Sequence, residues 1–328
     1  MDRRKILVLD PFKEAQMVRI EKAAGDEFEV VRLYLESDKA DYEEILVENL
    51  KKAEIVIGQP DIRFLQNVKV DCPNLRLIQI SWAGTDHYTR GDLPFPSGIT
   101  LCNGSGAYGM IISQFVVGLI LSSMLGFKEY HNRQRKKQWE RRGPVKSLDG
   151  ARVLIYGAGN IGMVTAKRLK GFDAYITGVC RDVAKSRDYF DELCTLDEAE
   201  KYLPDADVVV CCLPNTSDTE GYMNMRRLEL MKEDSVIVNV GRGNFIDCMA
   251  LDDILRRGRI WGAALDVTNP EPLPMDHPLW DNPRCIITPH ASGASFGHLE
   301  ETEALICDIV CENIERYRGG KALTNVVL

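Results

Sequence analysis

The 328 residues suffice for two domains with sizeable cores, and 45% hydrophobic with 27% charged residues is typical of a globular protein. The 41 basic and 49 acidic residues give a formal net charge of −8, so the overall field repels phosphate, which argues against nucleic-acid and anionic-membrane partners. The ten cysteines have neither metal-site nor disulfide spacing, so buried thiols in a cytoplasmic protein without a bound metal are expected.

The first hundred residues alternate short apolar runs with charged, helix-like stretches, which is the pattern of parallel α/β units. The strand candidates of this first series are 6–9, 28–33, 55–58, 75–81 and 99–103.

A long helical segment, roughly 107–139, follows the first series. Its longest apolar stretch, 111–125, is interrupted by serines and a glutamine, so it is typical of a buried helix and not of a membrane span. The segment ends in the basic cluster 133–142, which we interpret as a solvated helix end. A subunit contact around Trp139 is the alternative interpretation.

A second series of strand candidates follows, and its first strand leads into a glycine motif. The candidates are 152–156, 174–180, 208–213, 235–240, 262–267 and 285–288. The motif is Gly157-Ala-Gly159-Asn160-Ile161-Gly162, directly before a predicted helix. Gly157 permits the turn, Gly159 permits close approach of a pyrophosphate, and Gly162 lets helix and strand pack. Strand, motif and helix in this order predict a dinucleotide-binding domain.

The end of the next strand candidate indicates which dinucleotide is preferred. In an NAD enzyme an Asp or Glu there accepts both ribose hydroxyls, but here Cys180 occupies the place and Arg181 follows. Because a guanidinium pairs with a 2′-phosphate, we predict that NADP(H) is preferred and NAD(H) is possible. The alternative is that Arg181 is a surface residue and that Asp182 serves NAD.

Three polar segments near the end of the chain each follow an apolar, strand-like run. They bring Arg242 (in 239–243), Glu271 (in 265–271) and His290 (in 288–290). An Arg grips a carboxylate with two parallel donors, and a His beside a Glu exchanges a proton near neutral pH. Taken singly, each has a plain alternative as a surface, loop or turn residue. Together they predict a site that holds an acid and exchanges a proton beside it.

The last segment, 297–318, is periodic and helix-like, so it is expected to pack back on the first series. The predicted domains are therefore 1–104 with 295–328, a substrate domain, and 105–294, a dinucleotide-binding domain.

The ordered motifs at 157–162, 239–243, 264–274 and 288–290, with 213–219 and 77–84, resemble the D-isomer-specific 2-hydroxyacid dehydrogenase family over almost the whole chain. Within this family, Arg181 and the residue pattern around Glu271 are most similar to those of glyoxylate/hydroxypyruvate reductases. The resemblance implies an α/β fold of two doubly wound parallel-sheet domains, a Rossmann cofactor domain inserted in a flavodoxin-like substrate domain. Gln114 departs from the family, which usually carries Glu there.

The resemblance also implies roles for the polar residues. Arg242 would bind the substrate carboxylate and polarise the C2 carbonyl, His290 would protonate the forming alkoxide, and Glu271 would hold the His290 ring. Asp266 would orient the nicotinamide carboxamide.

Further family positions concern binding. Trp82, Ala83 and Gly84 would form the substrate loop, with the N–H groups of Ala83 and Gly84 receiving the carboxylate. Val240, Pro214 and Thr219 would lie beside the cofactor.

The leading interpretation is an NADP(H)-dependent reductase that converts a small 2-oxo acid, of glyoxylate or hydroxypyruvate type, to the D-2-hydroxy acid, expected as a homodimer. One alternative is an NAD-linked dehydrogenase of another D-2-hydroxy acid, of phosphoglycerate or lactate type. The other is a dinucleotide-sensing, corepressor-like binding protein on the same scaffold.

Overall fold

The computed structural model describes residues 4–36, 41–61, 72–90 and 94–328. The chain divides into two compact units, of which unit 1 is Met1–Tyr108 with Ala294–Leu328 and unit 2 is Gly109–Gly293. Each unit contains one parallel β-sheet whose strands alternate with helices, so the predicted α/β class of two doubly wound parallel-sheet domains is confirmed.

The described residues of unit 1 form a five-stranded parallel sheet in the order β2-β1-β3-β4-β5. The strands are β1 (Arg4–Val8), β2 (Phe28–Arg32), β3 (Ala53–Ile57), β4 (Leu77–Gln79) and β5 (Thr100–Cys102). This is the flavodoxin-like order, with its switch point between β1 and β3. Sheets of this kind bind ligands at the carboxyl ends of the strands beside the switch point.

Helices of unit 1 come from both parts of the chain. Within the described ranges they are α1 (Glu14–Ala24), α2 (Tyr42–Leu50), the short α3 (Asp86–Thr89) and α9 (Glu300–Arg318). In α9, Ile306, Val310 and Ile314 are buried at a spacing of four residues, which makes one apolar stripe. Helix α9 packs against α1, and unit 1 is discontinuous in sequence.

The sheet of unit 2 has the described strands in the order β12-β11-β10-β9-β6-β7-β8, all parallel. The strands are β6 (Arg152–Tyr156), β7 (Tyr175–Val179), β8 (Glu192–Cys194), β9 (Val208–Cys211), β10 (Val236–Asn239), β11 (Gly262–Leu265) and β12 (Cys285–Ile287). Counted from β6, this is the Rossmann order 3-2-1-4-5-6 with a seventh strand added at the edge. The switch point lies between β6 and β9.

One helix prediction is wrong in part, because the long segment 107–139 is not one helix. It forms α4 (Gly109–Leu125) and α5 (Phe127–Arg135), bent by 68° at Gly126, whose φ is 73°. In the described part of the chain no single helix is long and apolar enough to cross a membrane, and only this bent pair passes on length and composition together. The other helices of unit 2 are α6 (Asn160–Leu169), α7 (Met225–Leu230) and α8 (Cys248–Arg256), and α4 packs against α6.

Candidate active site

The glycine motif of unit 2 joins β6 to α6 and leaves space where a cofactor would come close. A Cβ on Gly162 would lie 2.0 Å from the carbonyl oxygen of Gly157, so the side-chain-free position lets helix and strand approach. At Gly159 a Cβ would meet nothing within 4 Å. Among the described residues, the backbone N–H groups of Asn160 and Ile161 donate to no acceptor. These residues therefore fit a dinucleotide, whose pyrophosphate would lie at this helix N-terminus.

In the loop after β7, near the expected ribose position, the acidic side chain is bound within the loop, whereas the basic side chain is not. The Asp182 carboxylate accepts the N–H of Ala184 (3.1 Å) and pairs with Lys185 Nζ (3.2 Å), so both of its oxygens are bound within its own turn. The exposed Arg181 makes no hydrogen bond or ion pair with the described residues. Arg187, which sequence reasoning missed, donates from Nη1 to the carbonyl of Ala158 in the glycine motif (2.9 Å).

The loop after β9 is closed by a threonine hydroxyl. Thr219 Oγ1 donates to the Pro214 carbonyl (2.9 Å) and accepts the Thr216 N–H (2.8 Å), and Thr219 is buried. Thr219 thus shapes the loop that carries the exposed Pro214. Val240, buried at the end of β10, follows the same carboxyl edge of the sheet.

Arg242 stands in a turn that neighbouring residues hold tightly. The buried Asn239 donates from Nδ2 to the Arg242 carbonyl (2.9 Å) and accepts the Gly241 N–H at Oδ1 (3.0 Å). A Cβ on Gly243 would lie 1.8 Å from the carbonyl oxygen of Thr268, so only glycine fits beside that backbone. The glycines around Arg242 are therefore required by packing, and Arg242 itself is half-buried.

Glu271 and His290 form a direct pair. His290 Nδ1 lies 2.6 Å from Glu271 Oε1, and the side chains are 49% and 43% exposed respectively, so the pair is open to a ligand. Arg242, Glu271 and His290 follow β10, β11 and β12, which are neighbours in the sheet. The three predicted site residues therefore follow the carboxyl ends of adjacent strands, at one edge of the sheet.

Asp266 holds the segment that carries His290. Its buried carboxylate accepts the Thr288 hydroxyl (2.7 Å) and the N–H groups of Ala291 (2.8 Å) and Ser292 (3.0 Å). Its carbonyl also accepts the N–H of His290 (2.8 Å). A nicotinamide contact, the role that the resemblance implies, would have to share a carboxylate that already accepts three hydrogen bonds.

In the predicted substrate loop of unit 1, the carbonyls of Trp82 and Ala83 accept hydrogen bonds from the protein, whereas the N–H groups are available to a ligand. Asn103 Nδ2 donates to the Ala83 carbonyl (2.7 Å), and the Gly104 N–H donates to the Trp82 carbonyl (2.8 Å). Within the described ranges, the N–H groups of Trp82, Ala83 and Gly84 donate to no acceptor. Successive free N–H groups form an anion-binding concavity. Sequence reasoning missed Asn103, which directly follows β5 and carried no signal of its own.

Among the described residues, no group of three or more His, Cys, Asp or Glu side chains could hold a metal ion.

Comparison with known proteins bears on the whole chain. Residues 117–292 match the family profile described as D-isomer specific 2-hydroxyacid dehydrogenase, NAD binding domain. The chain is 35% identical over 260 residues to an uncharacterized protein in the proB 3′ region of Corynebacterium melassecola, covering 77% of this chain and 82% of that one. It is 30% identical over 264 residues to the glyoxylate reductase of Thermofilum pendens, covering 77% of this chain and 76% of that one.

A solved structure of a D-isomer specific 2-hydroxyacid dehydrogenase family protein from Aeromonas salmonicida is similar over its full length. It has a TM-score of 0.84 and 30% sequence identity, and the match covers 100% of this chain and 99% of that one.

Proposed function

This chain belongs to the D-isomer-specific 2-hydroxyacid dehydrogenase family of NAD(P)-dependent oxidoreductases, and we propose that it reduces a small 2-oxo acid, of glyoxylate or hydroxypyruvate type, to the D-2-hydroxy acid with NADPH. The contact between His290 and Glu271, on the strand edge that also carries Arg242, supports this proposal most strongly. The similarity to a glyoxylate reductase supports the substrate class.

Arg242 has the chemistry to bind the substrate and to stabilise the transition state. Its guanidinium grips the carboxylate and polarises the neighbouring C2 carbonyl. The nicotinamide dinucleotide, when bound, supplies the hydride that C2 accepts. Because the carbonyl oxygen gains negative charge in that step, a fixed cation stabilises the transition state more than the ground state.

His290 supplies the proton that completes the reduction. Its Nδ1 faces Glu271, so Nε2 is the ring atom left to donate a proton to the C2 oxygen. Glu271 fixes the ring orientation through its contact with Nδ1. The product is then a hydroxyl at C2, with one hydride and one proton gained.

We assign the role of substrate domain to unit 1 and of cofactor domain to unit 2. The open N–H groups of Trp82, Ala83 and Gly84 suit a substrate carboxylate. The fit of the glycine motif to a pyrophosphate supports the role of unit 2.

Two observations support a preference for NADP(H). Arg181 has no partner among the described residues and is exposed, whereas the Asp182 carboxylate already serves Ala184 and Lys185. A 2′-phosphate would therefore meet a guanidinium, and ribose hydroxyls would meet no available carboxylate. We expect a higher kcat/KM with NADPH than with NADH, and the reverse ranking contradicts this preference.

We also infer that the protein forms a homodimer. Trp139 is fully exposed, and Phe127, Trp280 and Met275 are further large exposed apolar side chains of the same unit, which a second copy of the chain would cover. Light scattering at micromolar concentration should give twice the chain mass, and a monomer mass contradicts the inference.

Absorbance at 340 nm, on mixing NADPH with a panel of 2-oxo acids, tests the function. Arg242→Ala should lower kcat/KM by about a thousandfold, because a preorganised donor at the developing charge is lost. His290→Ala should lower kcat by about a hundredfold or more while NADPH binding is unchanged.

The exposed His131 provides a matched control, because His131→Ala removes a histidine from the same unit without touching the site. Wild-type turnover in Arg242→Ala or His290→Ala contradicts the mechanism. If no 2-oxo acid in the panel oxidises NADPH, the result instead favours a dinucleotide-sensing binding protein.

A further inference from the structure

A polar cluster of two buried residues and one half-buried residue lies at the switch point of the unit 1 sheet and is used by no step above. Asp10 follows β1, Gln59 follows β3 and Ser81 follows β4, so the three side chains come from the carboxyl ends of neighbouring strands. This is the part of an open α/β sheet where ligands are received.

The three residues are joined by a closed set of hydrogen bonds. Ser81 Oγ donates to Asp10 Oδ2. With its amide in the orientation that satisfies both ends, Gln59 donates to Asp10 Oδ1 (2.9 Å) and accepts the Ser81 N–H (3.2 Å). Asp10 therefore holds Ser81 by two routes, one to its hydroxyl and one, through Gln59, to its backbone.

Ser81 is the residue directly before the loop Trp82–Gly84, and its opposite side is also bound. The Tyr108 hydroxyl donates to the Ser81 carbonyl (3.0 Å). A Cβ on Gly104 would lie 2.0 Å from that same carbonyl oxygen, so the backbones are in close contact there. Because both faces of the Ser81 peptide are held, the direction of the next N–H groups follows from the cluster.

Asp10 is costly to bury, which argues that it does more than fill space. It is 8% exposed, and no cation pairs with it among the described residues. Burial raises the pKa of its carboxyl to about 6, and the Ser81 hydrogen bond opposes that rise. A buried carboxyl without a cation loses solvation that two neutral donors replace only in part.

We propose that Asp10 is a positioning residue for substrate binding, which acts through Gln59 and Ser81 to aim the N–H groups of Trp82, Ala83 and Gly84 at the substrate carboxylate. The proposal rests on the proposed function only in taking a 2-oxo acid as the ligand of this loop. Its consequence is that Asp10 controls carboxylate affinity and leaves the cofactor's affinity alone.

The variants Asp10→Ala and Asp10→Asn separate positioning from general stability. Alanine breaks both routes to Ser81. Asparagine can keep them, because its oxygen accepts from Gln59 and its amide nitrogen donates to Ser81 Oγ. The asparagine variant should therefore rescue what the alanine variant loses.

The measurement uses the full-length protein loaded with NADPH. The readouts are kcat and KM for glyoxylate, the Kd for NADPH, and the Kd for oxamate, an unreactive analogue with the same carboxylate. Asp10→Ala should raise KM and the oxamate Kd about tenfold, the effect of about one charge-assisted hydrogen bond, with kcat and the NADPH Kd almost unchanged. Asp10→Asn should stay within about threefold of wild type.

Glu303→Ala is the matched control, because Glu303 is a second buried carboxyl of unit 1, bonded to the N–H of Gly297 and not to the loop. It should lower the Tm without changing the oxamate Kd. If Asp10→Ala does not fold, Ser81→Ala takes its place, with an expected rise of the oxamate Kd of about threefold.

An oxamate Kd equal to that of wild type in Asp10→Ala, or in Ser81→Ala where that variant is used, overturns the proposal. So does a wild-type protein that binds no oxamate. Failure of the proposed function looks different, because the wild type would then fail to oxidise NADPH with any 2-oxo acid. The ratio of the oxamate Kd values of variant and wild type would still decide the role of Asp10.

Discussion

Asp266 acts on the proposed proton donor through the backbone and not through the ring. Its carboxylate holds Thr288, Ala291 and Ser292, the residues on both sides of His290. His290 itself has a φ of 51°, a region that non-glycine residues rarely occupy. The three hydrogen bonds to Asp266 therefore stabilise a backbone conformation that the local chain would not favour by itself.

Asp266→Asn should lower kcat by about ten- to a hundredfold, because a small displacement of the proton donor is costly in rate. The asparagine amide nitrogen would face an N–H group where an acceptor is needed. If Asp266 only positions His290, the NADPH Kd stays unchanged, whereas a rise in that Kd indicates the nicotinamide contact that the family resemblance implies. Stopped-flow kinetics and fluorescence titration measure the two quantities.

Thr288→Val is the matched control for that prediction, because it removes one of the three donors and keeps the carboxylate. Its kcat should fall by about threefold, between wild type and Asp266→Asn. A wild-type kcat in Asp266→Asn contradicts the positioning role.

Among single residues, type and order could be predicted from the sequence, but contacts could not. Arg242, Glu271 and His290 carry recognisable chemistry, so their types indicated a site. The bonds of Asp266 depend on the pairing of β11 with β12, in which Leu265 lies opposite Ile287 and Asp266 comes beside Thr288. That register is a tertiary feature, and Asp266 alone is equally compatible with a cap or a turn.

At the scale of elements, the glycines in the turn between β6 and α6 differ in what surrounds them. Gly162 is limited by the protein itself, since its Cβ would lie 2.0 Å from a backbone oxygen. Among the described residues, nothing limits a side chain at Gly159, whose backbone is extended with φ −85°. The described fold therefore does not require a glycine there, whereas the proposed pyrophosphate site does.

Gly159→Ala and Gly162→Ala should separate folding from binding. Gly159→Ala should keep a wild-type Tm and raise the NADPH Kd by at least about tenfold, because the methyl group fills the space of the pyrophosphate. Gly162→Ala should lower the Tm, since backbone must move. Circular dichroism and NADPH fluorescence measure both, and a wild-type NADPH Kd in Gly159→Ala contradicts the assigned site.

Most strands were predictable because parallel sheets bury both faces and so produce continuous apolar runs. The exception is β8 (Glu192–Cys194), a strand of three residues at the sheet edge without such a run. The break at Gly126 was missed because residues that favour helices stand on both sides of it, while the positive φ of the glycine ends α4.

At the scale of the whole molecule, two parallel sheets each carry a proposed functional cluster beside a switch point. In unit 2 the glycine motif follows β6, and in unit 1 Asp10 follows β1. The order of strands could be predicted from the family motifs, so the location of both edges could be as well. The Asp10 cluster could not, because Asp10, Gln59 and Ser81 are far apart in sequence and only Ser81 lies in a family motif.

The Asp10 carboxyl also gives the molecule a specific dependence of stability on pH. Its pKa in the folded chain is about 6, above the ordinary 3.8, because burial disfavours the charged form. Between these values the folded state binds more protons than the unfolded state, so the contribution of Asp10 to the free energy of unfolding falls as pH rises from about 4 to 6. The fall is at most about 3 kcal/mol.

Asp10→Asn removes this titration, so its Tm should rise relative to wild type as pH increases from 4.5 to 7.5, measured by thermal unfolding of both proteins at each pH. Glu200→Gln is the control, because Arg226 lowers the pKa of the folded Glu200 from 4.5 to about 2, so its contribution to stability is lost only as pH falls below about 4.5. Its Tm difference from wild type should therefore stay nearly constant over the same interval. A constant difference for Asp10→Asn as well would mean that the Asp10 carboxyl does not change its charge between pH 4.5 and 7.5.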